Sequence, residues 1–167
     1  KEQPYAIFIN STQENREEKE DPVSRADGYT GHLFEEEVLA KCLFRWNGYV
    51  SFQKSMQLVR RFQPWNPTDP STRGASDLHT QVALALELEN WDELRLFSAL
   101  RTPLDVFHGI DAFFEWQGRV VTLDLTCNQK KDEYRADLMI RPEDSDDDWF
   151  RIGHSIAILL QRGAFAA

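Results

Sequence analysis

A chain of 167 residues, 41% hydrophobic and 28% charged, has the size and make-up of one globular domain with its own core. Its 28 acids against 19 lysines and arginines leave a net charge of −9, which argues against a protein that coats nucleic acid through bulk charge. Cys42 and Cys127 form neither a zinc-ligand spacing nor a disulfide framework, no window approaches the ~18 apolar residues of a membrane span, and the opening "KEQPYAIFIN" has no signal-peptide pattern, so the default expectation is cytoplasmic and without membrane contact.

In chain order, "PYAIFIN" (4–10) predicts a short strand. Residues 11–28 are polar, mixed in charge and without apolar period, so 1–28 reads as an N-terminal strand and linker before a single domain at 29–167. "GHLFEEEVLAKCLFRWNGY" predicts a helix, with Leu33, Glu37, Ala40 and Phe44 on one face at steps of four, three and four, ended by Asn47-Gly48. "YVSFQKSMQLV" predicts a strand, and the three prolines of "RRFQPWNPTDPSTRG" a long loop. Residues 76–101 predict helix, capped by Ser76 or Asp77 and ended at Thr102-Pro103. "VALALELE" within it also alternates with period two, and Asn90-Trp91-Asp92 offers a break.

"GIDAFFEWQGRVVTLDL" then reads as two alternating strands joined by a glycine turn, each with an aspartate inside it, Asp111 and Asp124. "YRADLMIRP" predicts another strand, stopped by Pro142. "EDSDDD" reads as an acidic cap, and "DWFRIGHSIAILLQRGAF" as a closing helix. The sum is α/β or α+β, a sheet with helices.

Carboxylates inside half-buried strands need a reason. A hairpin would set Asp111 and Asp124 on neighbouring strands, where two carboxylates, the Leu125 carbonyl and water suffice for Mg²⁺ or Mn²⁺. Glu37, on the apolar face of the first helix, would add a third acid if that helix covers the sheet. Either strand acid alone is more often a hydrogen-bonded structural group. Arg60, Arg61 and Arg73, with Trp65 in the loop between them and Lys54 upstream, form a candidate nucleic-acid-binding surface of phosphate contacts and base stacking. A solvated loop anchored by one tryptophan is the plainer alternative.

The order of these pieces resembles the PD-(D/E)xK restriction-endonuclease-like superfamily. A helix with an acid precedes "GY", then comes Gly109-Ile110-Asp111, a turn, and Asp124-Leu125-Thr126. The resemblance covers about residues 31–60 and 105–140. It implies a restriction-endonuclease-like central mixed sheet flanked by helices, with Asp111, Asp124 and Glu37 as Mg²⁺ or Mn²⁺ ligands and DNA or RNA as substrate. The chain departs from the pattern at Thr126, where relatives carry a catalytic lysine. A threonine hydroxyl supplies no positive charge. Lys130 or Lys131, curled back by a turn at Cys127-Asn128, would have to supply it. Gln129 and Tyr134 loosely match a Gln/Tyr motif of some relatives, with the spacing off by one. The implied activity is Mg²⁺-dependent hydrolysis of phosphodiester bonds. The alternative is an inactive nuclease fold that binds nucleic acid or a protein partner, and a third reading is an unrelated α/β domain with structural acids. A dimer is one of the oligomeric states left open.

Overall fold

The computed structural model describes residues 6–9, 33–127, 133–142 and 146–162. The expected linker at 11–28, residues 143–145 of the acidic run, Gln129, Lys130 and Lys131 lie outside the described residues.

Among the described residues five strands form one mixed sheet: β1 (Ala6–Ile9), β2 (Leu94–Ser98), β3 (Ala112–Trp116), β4 (Arg119–Leu125) and β5 (Leu138–Pro142), in spatial order β1-β5-β4-β3-β2. The β2-β3-β4 meander is antiparallel, whereas β5 runs parallel to β4 and β1 parallel to β5. The helices are α1 (33–38), α2 (Phe52–Arg61), α3 (Arg73–Ala85), α4 (Pro103–His108) and α5 (Asp146–Arg162). This is the expected α+β class. Among the described residues no helix is long and apolar enough to cross a membrane.

Alternation along the strands builds two cores. Ala112, Phe114, Val121, Leu123, Leu125, Leu138 and Ile140 face α3 and α5, where most of the buried apolar side chains lie. Phe97, Phe113 and Val120 face the other way, onto Met56 and Val59 of α2 and Leu104 of α4. The β3–β4 turn forms where the sequence allows it, because Gln117 and Gly118 both take positive φ (50° and 74°) and match the strand twist.

Three expected elements are corrected. "YVSFQKSMQLV" is not a strand. Ser51 caps α2 by accepting from the Lys54 amide, and Met56 and Val59 bury at helical spacing. The first helix stops at residue 38 instead of running to Asn47. The carbonyls it would have used inside a longer helix go elsewhere: Thr72 Oγ1 donates to Val38 O and Ser98 Oγ to Ala40 O. Residues 76–101 are not one helix either. Thr72 caps α3, Glu87 takes φ 53°, and the chain re-emerges as strand β2.

β2 is the sheet edge, and side chains cover its outward backbone groups. His79 Nε2 meets Leu94 O at 2.8 Å, and Trp65 Nε1 donates to Leu96 O at 2.9 Å. The Leu96 amide donates to Pro67 O. The Gln63 amide group pairs with both Ser98 N and Ser98 O at 2.9 Å. The proline-rich loop is therefore an edge cover.

Candidate carboxylate site

The site is set by how α4 ends. Thr102 caps it, Pro103 opens it, and Gly109 closes it in the left-handed region, with its amide donating to Asp105 O. The chain then turns straight into β3. Asp111 sits one residue before that strand rather than inside it. Its amide donates to Leu123 O at 2.9 Å and its carbonyl accepts from Ala99 N at 2.7 Å. Ala112 pairs with Leu123 and Phe113 with Thr122, so one further step sets Asp111 across from Asp124. Both are buried, at 6% and 4% exposure. Asp111 Oδ2 accepts from the Leu125 amide at 2.7 Å, replacing a backbone rung and fixing the carboxylate at the open end of the hairpin.

Two more acids join them. Asp105 on α4 accepts from the Arg101 amide at 2.8 Å and hydrogen-bonds the Asp111 side chain. Glu35 on α1 is half-buried, and its charge acts on Asp111. Burial, then the charges of Asp105, Asp124 and Glu35, push the Asp111 carboxyl well above the usual carboxylate range, against the opposing Leu125 amide. Burial also raises Asp105, with Arg101 opposing.

Glu37 is corrected here: it is exposed, and Glu35 is the glutamate of α1 whose charge reaches Asp111. The face drawn through Leu33, Glu37, Ala40 and Phe44 assumed a helix twice as long. In the short α1 the buried residues are Phe34 and Val38, and Glu35 stands three residues from Val38 and four from Leu39. Asp105 was missed altogether, although the Thr102-Pro103 start and Gly109 stop mark a short helix that brings it beside Asp111.

Thr126 donates its amide to Ile140 O at 2.9 Å. Leu125 pairs with Ile140, so continuing that register sets Thr126 across from Arg141, on the sheet face of Asp124. Arg141 is a buried cation that sequence reasoning passed over. Its charge and that of Asp124 act in opposite directions on Tyr134, whose hydroxyl is raised mainly by burial.

The candidate nucleic-acid surface divides. Arg60 lies on α2, paired with Glu115 at 2.9 Å and over the Phe113 ring, and Arg61 lies over Phe62. Arg73, by contrast, is on α3, across the sheet from α2. Trp65 is corrected: at 8% exposure, with its indole N–H bound to Leu96 O, it is a core residue and offers no stacking face. His79 is also in the core, held neutral by burial. Burial pushes the Cys42 thiol up to about 12, with Asp105 adding, so it is no nucleophile.

A cleft of about 560 Å³ opens between α2 and the sheet. Phe52, Gln57 and Arg60 line one side, Ile110 and Thr122 the other, with Arg135 near them. Asp137 also lines it; Ile110 adjoins Asp111 and Thr122 is two residues from Asp124 along β4, so the cleft borders the segments that carry the carboxylates.

Among the described residues no three His, Cys, Asp or Glu groups stand ready-spaced around a cation. The donor atoms at Asp105, Asp111, Asp124 and Glu35 are all carboxylate oxygens, the ligand type of Mg²⁺ or Mn²⁺ rather than of a soft metal. Comparison with family models, with curated proteins and with solved structures finds no match for this chain.

Proposed function

We propose that the chain is a Mg²⁺- or Mn²⁺-dependent, nuclease-like hydrolase of phosphodiester bonds in DNA or RNA, with Asp111 and Asp124 at its centre. The observation that carries this reading is the convergence of two buried aspartates across one hairpin rung, with Asp105 and Glu35 close enough to raise Asp111. A fold that needed only packing there would favour apolar side chains, because like charges held together in a dry place cost stability. The resemblance of Gly109-Ile110-Asp111 and Asp124-Leu125-Thr126 to the restriction-endonuclease-like pattern adds support. So does an antiparallel meander followed by a parallel strand.

A bound divalent cation would lower the pKa of a water and offset charge on a phosphate. The chain's own residues do the rest. The Leu125 amide holds Asp111 in position, and Asp105 and Glu35 keep the site negative enough to attract a cation. Asp105 shares a side-chain hydrogen bond with Asp111. Lys130 or Lys131 is the proposed source of positive charge beside the phosphate. Cleavage of single-stranded, double-stranded and branched substrates in Mn²⁺ tests this, with Asp111→Asn and Asp124→Asn expected to abolish it. Lys130→Ala or Lys131→Ala should lower the rate by about 10²–10³.

Thr126 in place of the lysine favours a second reading, an inactive nuclease fold that binds nucleic acid or protein. Cation binding without cleavage, unchanged by Thr126→Lys, would select it.

A further inference from the structure

The net charge of −9 hides a strong segregation. Between Glu37 and Asp69 there is no acidic residue, yet the segment carries five cations, Lys41, Arg45, Lys54, Arg60 and Arg61. It also carries Phe44, Trp46, Tyr49, Phe52, Phe62 and Trp65, and only Trp65 belongs to the core. The rest assemble on the surface. Trp46 and Tyr49 both pack on Phe107, with ring centres 5.2 and 5.3 Å apart. Tyr49 and Phe52 both meet His108, at 5.9 and 5.6 Å. Phe44 stacks on Phe62 at 4.8 Å, at the far end of α2, with Arg61 over the Phe62 ring.

The loop before α2 thus runs back along that helix, with rings at both ends about 15 Å apart, ten residues at 1.5 Å each. Tyr49 is 72% exposed although it is a large ring already oriented by two neighbours. Phe52 belongs both to this group and to the lining of the cleft beside Ile110 and Thr122. Lys41 and Arg60 are paired with Glu36 and Glu115, and Asp137 lines the cleft, but exposed rings with Arg45, Lys54 and Arg61 among them complement a polyanion whose own rings are unstacked. Duplex DNA keeps its rings covered and does not fit that description. An apolar protein surface would use the rings but would give Arg45, Lys54 and Arg61 no anionic counterpart of its own.

We propose that the face formed by residues 43–54 and α2 binds single-stranded nucleic acid. Bases stack on Tyr49 and Phe52, phosphates lie along Arg45, Lys54 and Arg61, and the strand is led through the cleft to the carboxylates. Delivery to the carboxylates rests on the hydrolase reading; binding stands without it.

The test is fluorescence anisotropy of a labelled twelve-nucleotide oligo-dT with the full chain at low salt, in EDTA so that no cation is needed. Wild type binds it more tightly than the matching duplex. Tyr49→Ala weakens binding about tenfold, and Tyr49→Trp restores it. Lys54→Ala weakens binding and flattens the log–log salt slope by about 0.7. Arg73→Ala, across the sheet, changes nothing. The proposal is overturned if oligo-dT does not bind, if duplex binds equally well, or if Tyr49→Ala binds as wild type does. Failure to bind oligo-dT, combined with self-association lost in Tyr49→Ala, would assign the face to a second copy of the chain. Because cation is excluded, these results are independent of whether Asp111 and Asp124 bind Mn²⁺.

Discussion

Trp65→Phe separates a structural tryptophan from a nucleic-acid contact. The ring is 8% exposed within the larger core, and its indole N–H caps Leu96 O at the sheet edge. Phenylalanine keeps most of the apolar area and removes the donor. Leu96 O is then a buried acceptor left without its partner, a penalty of about 1–3 kcal/mol. The smaller ring leaves a void that adds to it. For a chain of this size each kcal/mol moves the midpoint by about 2–4 °C, so thermal unfolding followed by circular dichroism should shift down by roughly 2–12 °C. Oligo-dT binding should not change. An unchanged melting temperature together with lost oligonucleotide binding would refute the edge-cover assignment and return Trp65 to the binding surface.

Metal-free Asp111→Asn should melt above wild type at about pH 8. The raised carboxyl contributes stability that is fully present below its unfolded value of ~3.9 and is lost as pH rises through the higher folded value, so the difference should vanish toward pH 4. Asparagine keeps an acceptor for the Leu125 amide, and an equal or lower midpoint at pH 8 would contradict the repulsion. Glu35→Gln should weaken Mn²⁺ binding severalfold whereas Glu37→Gln should not, and calorimetry on the two variants decides between them. Gly153→Ala should destabilise by up to about 2 kcal/mol. The new methyl would meet Gln81 Cβ at 2.6 Å and its backbone carbon at 2.8 Å, where α3 and α5 touch, and overpacking of about 1–3 kcal/mol exceeds the helix-propensity gain of about 1. Chemical denaturation reads it, and a rise in the midpoint would show that the helices part easily.

What the sequence carried openly was local. The β3–β4 hairpin follows from period-two alternation and Gly118, and the two aspartates follow from the hairpin. The closing helix follows from its apolar spacing. What stayed hidden depended on tertiary partners. α1 stops at residue 38 because Thr72 and Ser98 take its downstream carbonyls, and no pattern in 33–47 announces that. The shortened helix moved the relevant acid from Glu37 to Glu35. β2 was masked because "DELRLFSAL" continues a helical composition, and only the partners of Leu94, Leu96 and Ser98 make it an edge. α2 alternates like a strand, and its Ser51 cap was the missed signal. The basic, aromatic character of residues 41–62 was legible all along, but the net charge of −9 concealed it.

Titration of Mn²⁺ into metal-free wild type and Asp111→Asn by isothermal calorimetry at about pH 7.5 tests the central claim most directly. The carboxylate-site account predicts a saturable site in wild type, with proton release growing as pH falls because Asp111 must give up its proton. It also predicts affinity at least about tenfold weaker in Asp111→Asn. No saturable heat in wild type, or equal affinity in the variant, would contradict it.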